Sequence, residues 1–208
     1  MVSFYDRHIM PRLIRCVCGL PEIHQKRADL IPQAEGDVLE VGCGGGLNFG
    51  HYDPVRVSRV RGLDPSAALR LMAEKQANAT AANIAVGEGV AESLPFADAQ
   101  FDTAVLTFTL CSVASPQRAL SEIRRVLKPG GRLLFCEHGR SPDAAVRVWQ
   151  GRVEPLWKRI AGGCHLTRPV TQLLTSGGFD IVKAERAYLA TAPKFAGWVE
   201  SGTARLAA

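Results

Sequence analysis

The sequence has no apolar run approaching the ~20 residues that a membrane-spanning helix requires, so no spanning segment is expected. It has no CxxC pair. Of its six cysteines, only Cys16 and Cys18 stand close together. One CxC cannot fill a tetrahedral zinc site, and no second Cys/His pair follows at zinc-module spacing, so no metal is expected. A chain of this size needs no disulfide staples, which points to free thiols and a reducing cytoplasm. Like charges form no block with aromatics between them, so the net charge of +5 does not indicate a nucleic-acid partner. A mildly basic surface still favours anionic partners, membrane headgroups among them. The start MVSFYDRHIM is interrupted by charge before an apolar core can form, which argues against a secretory leader. Repeats and low-complexity tracts are also lacking.

What is present suits one globular domain. The chain has 208 residues, 47% of them hydrophobic and 22% charged. Strand and helix signals alternate. Residues 37–41, 58–63, 83–87, 103–110 and 132–136 read as strands, and 66–78 and 116–127 as helices with apolar residues at helical spacing. Such alternation argues a mostly parallel sheet with right-handed crossovers. The stretch 139–170 breaks the rhythm and reads as one helix plus a loop over the carboxyl edge of the sheet. Residues 170–176 read as a short helix and 179–190 as a terminal antiparallel pair. The first 30 residues read as a helical segment ahead of the sheet.

The strongest chemical signal is Glu40-Val41-Gly42-Cys43-Gly44-Gly45-Gly46, directly after a strand. Glycine lets a backbone turn tightly and approach a ligand closely. A dinucleotide site wants G-x-G-x-x-G/A, and from Gly42 and Gly44 the third position falls on Leu47, which does not fit. A site for S-adenosylmethionine (SAM) wants an acid just before G-x-G-x-G, and Glu40, Gly42, Gly44 and Gly46 satisfy every position. A negative charge suits the cationic methionine end of SAM. Asp64 ends the next strand, about 20 residues on, where an acid accepts both ribose hydroxyls. The plainer alternative makes it an Asp-Pro turn capping the helix that starts near Ser66.

The run LEVGCGGGLNF…GLDPS…AESLPF…FDTAV…EIRRVLKPGGRLLFCEH, over residues 37–138, resembles the class I SAM-dependent methyltransferases, specifically the methyltransferase type 11 group. TLCSV, FCEHG and WQGRVEPLWKRIAGGCHLTR are similar to small bacterial relatives of the animal membrane-associated thiol S-methyltransferases. The resemblance implies one Rossmann-like α/β domain over 1–208, with a mostly parallel sheet of about seven strands and a terminal antiparallel strand. It implies that Gly42, Gly44 and Gly46 bound the methionine end of SAM, with Glu40 near the ammonium. Asp64 then holds the ribose, Ala91 and Glu92 lie beside the adenine, and Thr107 and Leu110 floor the pocket. Val90 stands where many relatives carry an acid, so adenine recognition falls to backbone groups and stacking. S-adenosylhomocysteine is the implied product, and the implied partner is a small-molecule acceptor.

Methyl transfer from a sulfonium is an in-line displacement that mainly needs alignment and exclusion of water. Acceptor-side candidates lie at carboxyl ends of strands. His138 either orients or deprotonates the acceptor, or bonds a backbone carbonyl. Cys111 reads as a packing thiol at the edge of the substrate pocket. Cys164-His165 is a tempting dyad, but adjacent side chains rarely meet, so His165 reads as pocket lining. Trp149 and Trp157, eight residues apart, read as one helix face, either core or an apolar lid over the acceptor. The N-terminal segment reads as a lid placing Tyr5 near the methionine of SAM, or as peripheral contact with a membrane. The acceptor favoured by the resemblance is a small or lipophilic thiol. A lipid-headgroup amine or quinone methyltransferase, and a SAM-binding protein without catalysis, share the same cofactor motif. The motif predicts that the protein binds SAM and S-adenosylhomocysteine and not NAD. Calorimetry with the three ligands checks this, and NAD binding without SAM binding would refute it.

Overall fold

A computed structural model describes Met10 and residues 18–207. Tyr5, Cys16 and most of the expected N-terminal lid lie outside the described residues. The first described helix, α1, is Pro21–Leu30, with its proline in the first turn, where a missing N–H costs nothing. Strands β1 (Gly36–Val41), β2 (Val57–Leu63), β3 (Ile84–Gly87), β4 (Phe101–Thr107) and β5 (Leu127–His138) then alternate with helices α2 (Ala67–Ala77) and α3 (Pro116–Val126). Helices α4 (Ala144–Ile160) and α5 (Val170–Ser176) follow, and then β6 (Phe179–Tyr188), the single turn α6 (Lys194–Gly197) and β7 (Trp198–Leu206).

The seven strands form one sheet in the order β3-β2-β1-β4-β5-β7-β6. The first five are parallel, and β7 runs antiparallel to both β5 and β6. The strand order reverses between β1 and β4, which opens a crevice at their carboxyl ends. Side chains alternate across the sheet. Leu39, Val41, Leu106, Leu133 and Phe135 pack with Leu120, Ile123 and Leu174 of α3 and α5 on one face. Val38, Val60, Val105, Leu134 and Cys136 pack with Ile23, Leu30 and Ala73 of α1 and α2 on the other. Two N-caps fix the starts of the crossover helices: Ser66 accepts from the Leu69 N–H, and Ser115 from the Arg118 N–H.

Three expectations change, and one connection for which none was made is short. First, β4 stops at Thr107, because Phe108 adopts a left-handed φ of +55°, a conformation that costs a non-glycine residue ~1–2 kcal/mol. Leu110 therefore sits in the following turn and not on the strand. Second, residues 179–188 are one strand, and its antiparallel partner is 198–206; the hairpin contains α6, so the pair is much longer than 179–190. Third, the crossover from β1 to β2 holds only a 3-10 turn at Phe49–His51. Fourth, Trp149 and Trp157 do not share a face, since eight residues at 3.6 per turn leave them about 80° apart. Trp149 is exposed, while Trp157 stacks edge-on against Phe195 at 5.9 Å between ring centroids.

Candidate active site

The glycine loop leaves β1 with Gly42, Gly44 and Gly46 at φ of +69°, +54° and +75°. Two of these glycines do different jobs. A Cβ on Gly42 would lie 2.3 Å from Thr109 Oγ1, so its absence lets the loop pack against the turn after β4. Around Gly44 the corresponding space is open, with nothing within 4 Å. An open, side-chain-free backbone at the carboxyl end of β1 is the shape a ligand cradle needs, and SAM fits it. Asp64 borders the same cradle. Its carboxylate accepts from the Gly44 N–H at 3.0 Å and the Ser66 N–H at 2.8 Å, tying the glycine loop to the start of α2. Burial raises its pKa, although both of those N–H groups oppose the rise. The helix-capping alternative is thus seen directly, and the same carboxylate also reaches the glycine loop.

Glu40 does not present its carboxylate at the loop surface. It is 1% exposed, on the side chain face that packs under α1. Tyr52 donates to it at 2.6 Å and Asn48 Nδ2 at 3.0 Å. Arg27 of α1 in turn donates to Asn48 Oδ1 at 2.6 Å and to Thr107 Oγ1 at 2.9 Å. The result is a buried polar cluster beneath the glycine loop, with Thr107 as one of its acceptors. Burial pushes the Glu40 carboxyl up from 4.5 to about 7, against the hydrogen bonds from Tyr52 and Asn48. Ala91 is buried, and the Glu92 carboxylate accepts from the Ser115 N–H, anchoring the segment after β3 to the start of α3. Val90 is half exposed.

The turn after β4 is organised by a residue to which the sequence reading assigned no role of its own. Glu137, at the end of β5, is fully buried, and its carboxylate accepts from the backbone N–H groups of Thr109, Leu110 and Cys111 at 2.7, 2.9 and 3.3 Å. Arg168 holds the other side of the same turn, donating to the carbonyls of Leu110 and Val113. Thr109 then reaches across the crevice to the Val41 carbonyl at 3.0 Å. Leu110 is thus a buried core side chain whose backbone is pinned from both directions. Only the acid of Glu137-His138, placed in three dimensions, shows this; the dipeptide alone does not.

His138 is half-buried, 5.9 Å from the Phe108 ring. Its Nε2 lies 2.9 Å from the Cys164 Sγ. Burial opposes a proton on this imidazole, but Cys111 beside it outweighs that, and the net shift of His138 is upward. His165 turns the other way, its Nδ1 3.2 Å from Glu154 of α4, while its N–H donates to the Cys111 carbonyl. The adjacent Cys164 and His165 therefore do not pair with each other. Cys164 pairs instead with a histidine 26 positions away. Trp157 faces Phe195 of α6, and its buried indole N–H finds no partner among the described residues. An open depression of about 560 Å³ lies farther along the β5 exit. Arg140, Arg147 and Arg186 line it, and His138, Trp157 and His165 do not. Arg147 there is spent on the carbonyls of Ser141 and Pro142, and Arg186 on Glu200.

The family profile described as "Methyltransferase domain" matches residues 39–135. Thiol S-methyltransferase TMT1B of Rattus norvegicus is 39% identical over 158 residues, covering 73% of this chain and 63% of the relative. The same enzyme of Homo sapiens is 37% identical over 180 residues, covering 79% and 72%. The chain thus spans roughly two thirds of the length of the relatives it matches. The chain belongs to the SAM-dependent methyltransferase family. The solved structure of a SAM-dependent methyltransferase from Methanosarcina mazei superposes with a TM-score of 0.66 at 25% identity, covering 90% of this chain and 97% of that one.

The cradle at Gly44 and Asp64 lies on one bank of the crevice, and the pinned turn at 108–113 with His138 on the other. The two meet at the contact between Gly42 and Thr109. Asp64→Ala is expected to weaken SAM binding by about 1.5–3 kcal/mol through lost ribose hydrogen bonds. It is also expected to cost about 1 kcal/mol of stability, because the Gly44 and Ser66 N–H groups lose their acceptor. Calorimetry and urea unfolding read the two effects separately. A second expectation follows from Glu40. Because folding raises its carboxyl, the stability it contributes is complete below pH 4.5 and is lost as pH rises through about 7. Glu40→Gln stays neutral, so the stability difference between wild type and variant should shift toward the variant, on the order of 3 kcal/mol, between pH 4.5 and 8. A pH-independent difference in urea midpoints would refute it.

Proposed function

We propose that the protein transfers the methyl group of SAM to a small or lipophilic thiol, giving a thioether and S-adenosylhomocysteine. The observation that carries this reading is the chemistry of the acceptor edge. Its one acid, Glu137, is already consumed by three backbone N–H groups. What remains is apolar and soft: Phe108, two thiols, and the half-buried imidazole of His138. An amine headgroup would want a carboxylate, and none is free at this edge among the described residues. A thiol has an ordinary pKa near ~8.5 and needs only a weak base or none. The similarity to the TMT1B thiol S-methyltransferases supports the same acceptor class.

SAM, when bound, supplies a methyl group already activated on a sulfonium. The chain holds it with the Gly42–Gly46 backbone and the Asp64 carboxylate, and keeps the Glu40 carboxyl beneath the methionine end. Ala91 and the backbone at Glu92 border the adenine side. The turn at 108–113 presents the acceptor, because Glu137 and Arg168 leave it no freedom to recoil. That fixed approach is where most of the rate is gained, since alignment is worth several kcal/mol in a displacement of this kind. His138 takes or orients the acceptor proton. The segment 139–170 walls the pocket, with Trp157 and His165 set back on α4 and its following loop, and the segment ahead of α1 covers the cofactor or rests on a membrane surface. Among the described residues, no helix is long and apolar enough to cross a membrane. The free cysteines suit a reducing compartment such as the cytoplasm.

Incubation with methyl-labelled SAM and a panel of alkyl and aryl thiols, a demethylated quinone and an amine-headgroup lipid is expected to label thiols alone. Label on the quinone or the amine, with none on any thiol, would replace the acceptor assignment. SAM binding with no turnover on any member would make the protein a binding module.

A further inference from the structure

Cys111, His138 and Cys164 come from three separate segments: the turn after β4, the end of β5 and the loop after α4. Their two sulfurs and imidazole nitrogen all lie within 4.8 Å of one another. Cys111 and Cys164 are buried and His138 is half-buried, so the cluster is closed behind the thiols and open beside the ring. Its backbone is rigidly held. Glu137 takes the Cys111 N–H, the His165 N–H donates to the Cys111 carbonyl at 2.8 Å, and Arg168 grips the carbonyls on either side.

We propose that Cys111, His138 and Cys164 form a Cys₂His site for a zinc ion, with its fourth position open to the acceptor. Two thiolates and an imidazole are donors that zinc prefers, at about 2.3 Å to sulfur and about 2.0–2.1 Å to nitrogen. Tetrahedral geometry then places the ligand atoms roughly 3.5–3.8 Å apart. The 2.9 Å contact between Cys164 and His138 opens by less than ~1 Å to reach that spacing. Two thiolates neutralise the dication, which suits a site bordered by Phe108 and the buried Leu110. Three protein ligands, not four, are the mark of a zinc site that keeps a position for a substrate.

The occupant of that position rests on the thiol reading above. With the ion bound, His138 is a ligand and no longer receives the acceptor proton; the acceptor thiol binds as its thiolate and releases its proton to solvent, because a coordinated thiol is deprotonated. A sulfur lone pair attacks the methyl carbon of SAM. The old carbon–sulfur bond breaks, and its electron pair stays on the sulfur of S-adenosylhomocysteine. The product thioether is neutral and a weaker ligand, so it leaves.

Titrating the reduced, metal-free protein with Co²⁺ tests the site without reference to activity. One equivalent should bind with thiolate-to-cobalt charge-transfer bands and tetrahedral ligand-field bands, and Zn²⁺ should bleach them. Cys111→Ser and Cys164→Ser should each lose the stoichiometric signal, whereas the double variant Cys16→Ser/Cys18→Ser should keep it. A small alkyl thiol added without SAM should perturb the bands. Absence of a stoichiometric cobalt signal in the wild type overturns the site and leaves thiol methylation, measured separately, standing. A signal lost with Cys16 and Cys18 overturns the ligand assignment, and bands that ignore added thiol overturn the open position. Bands that respond to thiol in a protein that methylates no thiol uphold the site and defeat the acceptor reading instead.

Discussion

A single buried carboxylate sets the geometry of the turn after β4, the proposed acceptor edge. Glu137 ends a central strand, far from solvent, where an unpaired charge would be costly. The cost is offset because three successive N–H groups of the turn after β4 converge on it. The exchange works in both directions. The carboxylate satisfies backbone donors that leave the sheet at Phe108, and the turn gives the carboxylate three hydrogen bonds in return. Arg168 completes the arrangement by taking carbonyls of the same turn. A turn fixed this way carries Thr109 to the glycine loop and Cys111 to His138, so the two halves of the site are coupled through one element.

The cofactor side follows a similar economy. Asp64 stands at the end of β2, next to the reversal in strand order, and accepts from both the glycine loop and the start of α2. Thr109 bonds the Val41 carbonyl from the opposite bank of the crevice. Open space at Gly44 sits between these two anchors. Beneath the loop, Glu40 is held by Tyr52 and Asn48, and Asn48 by Arg27, so its carboxyl lies under the cradle and not on its surface. Helix α1 therefore does more than cover the sheet: it supplies the cation nearest to this acid cluster.

The comparison of sequence with structure shows where local pattern carries information. Strands β1 to β5 are legible because each alternates faces or is bounded by glycine, proline or aspartate, and those signals act within a few residues. The helices α2 and α3 announce themselves through apolar spacing and serine caps. β7 was invisible because WVESGTARL is short of apolar residues on one side; it becomes a strand only because β5 and β6 flank it with unpaired edges. β4 reads too long in sequence since TFTL has the composition of a strand, and only the pull of Glu137 on the next three N–H groups bends it away after Thr107.

By itself the sequence determined the α/β alternation, the glycine loop, the acid after β2 and, through these, the family, because each depends on spacing along one stretch of chain. Tertiary structure decided what no spacing encodes: that Glu40 lies under the loop and not on it, that Glu137 is a backbone acceptor, and that Cys164 meets His138 while His165 meets Glu154. The Glu137 and Cys164 contacts join residues 26 or more positions apart, that of His165 with Glu154 joins residues 11 apart, and all of them are set by where the sheet ends and which way each loop leaves it.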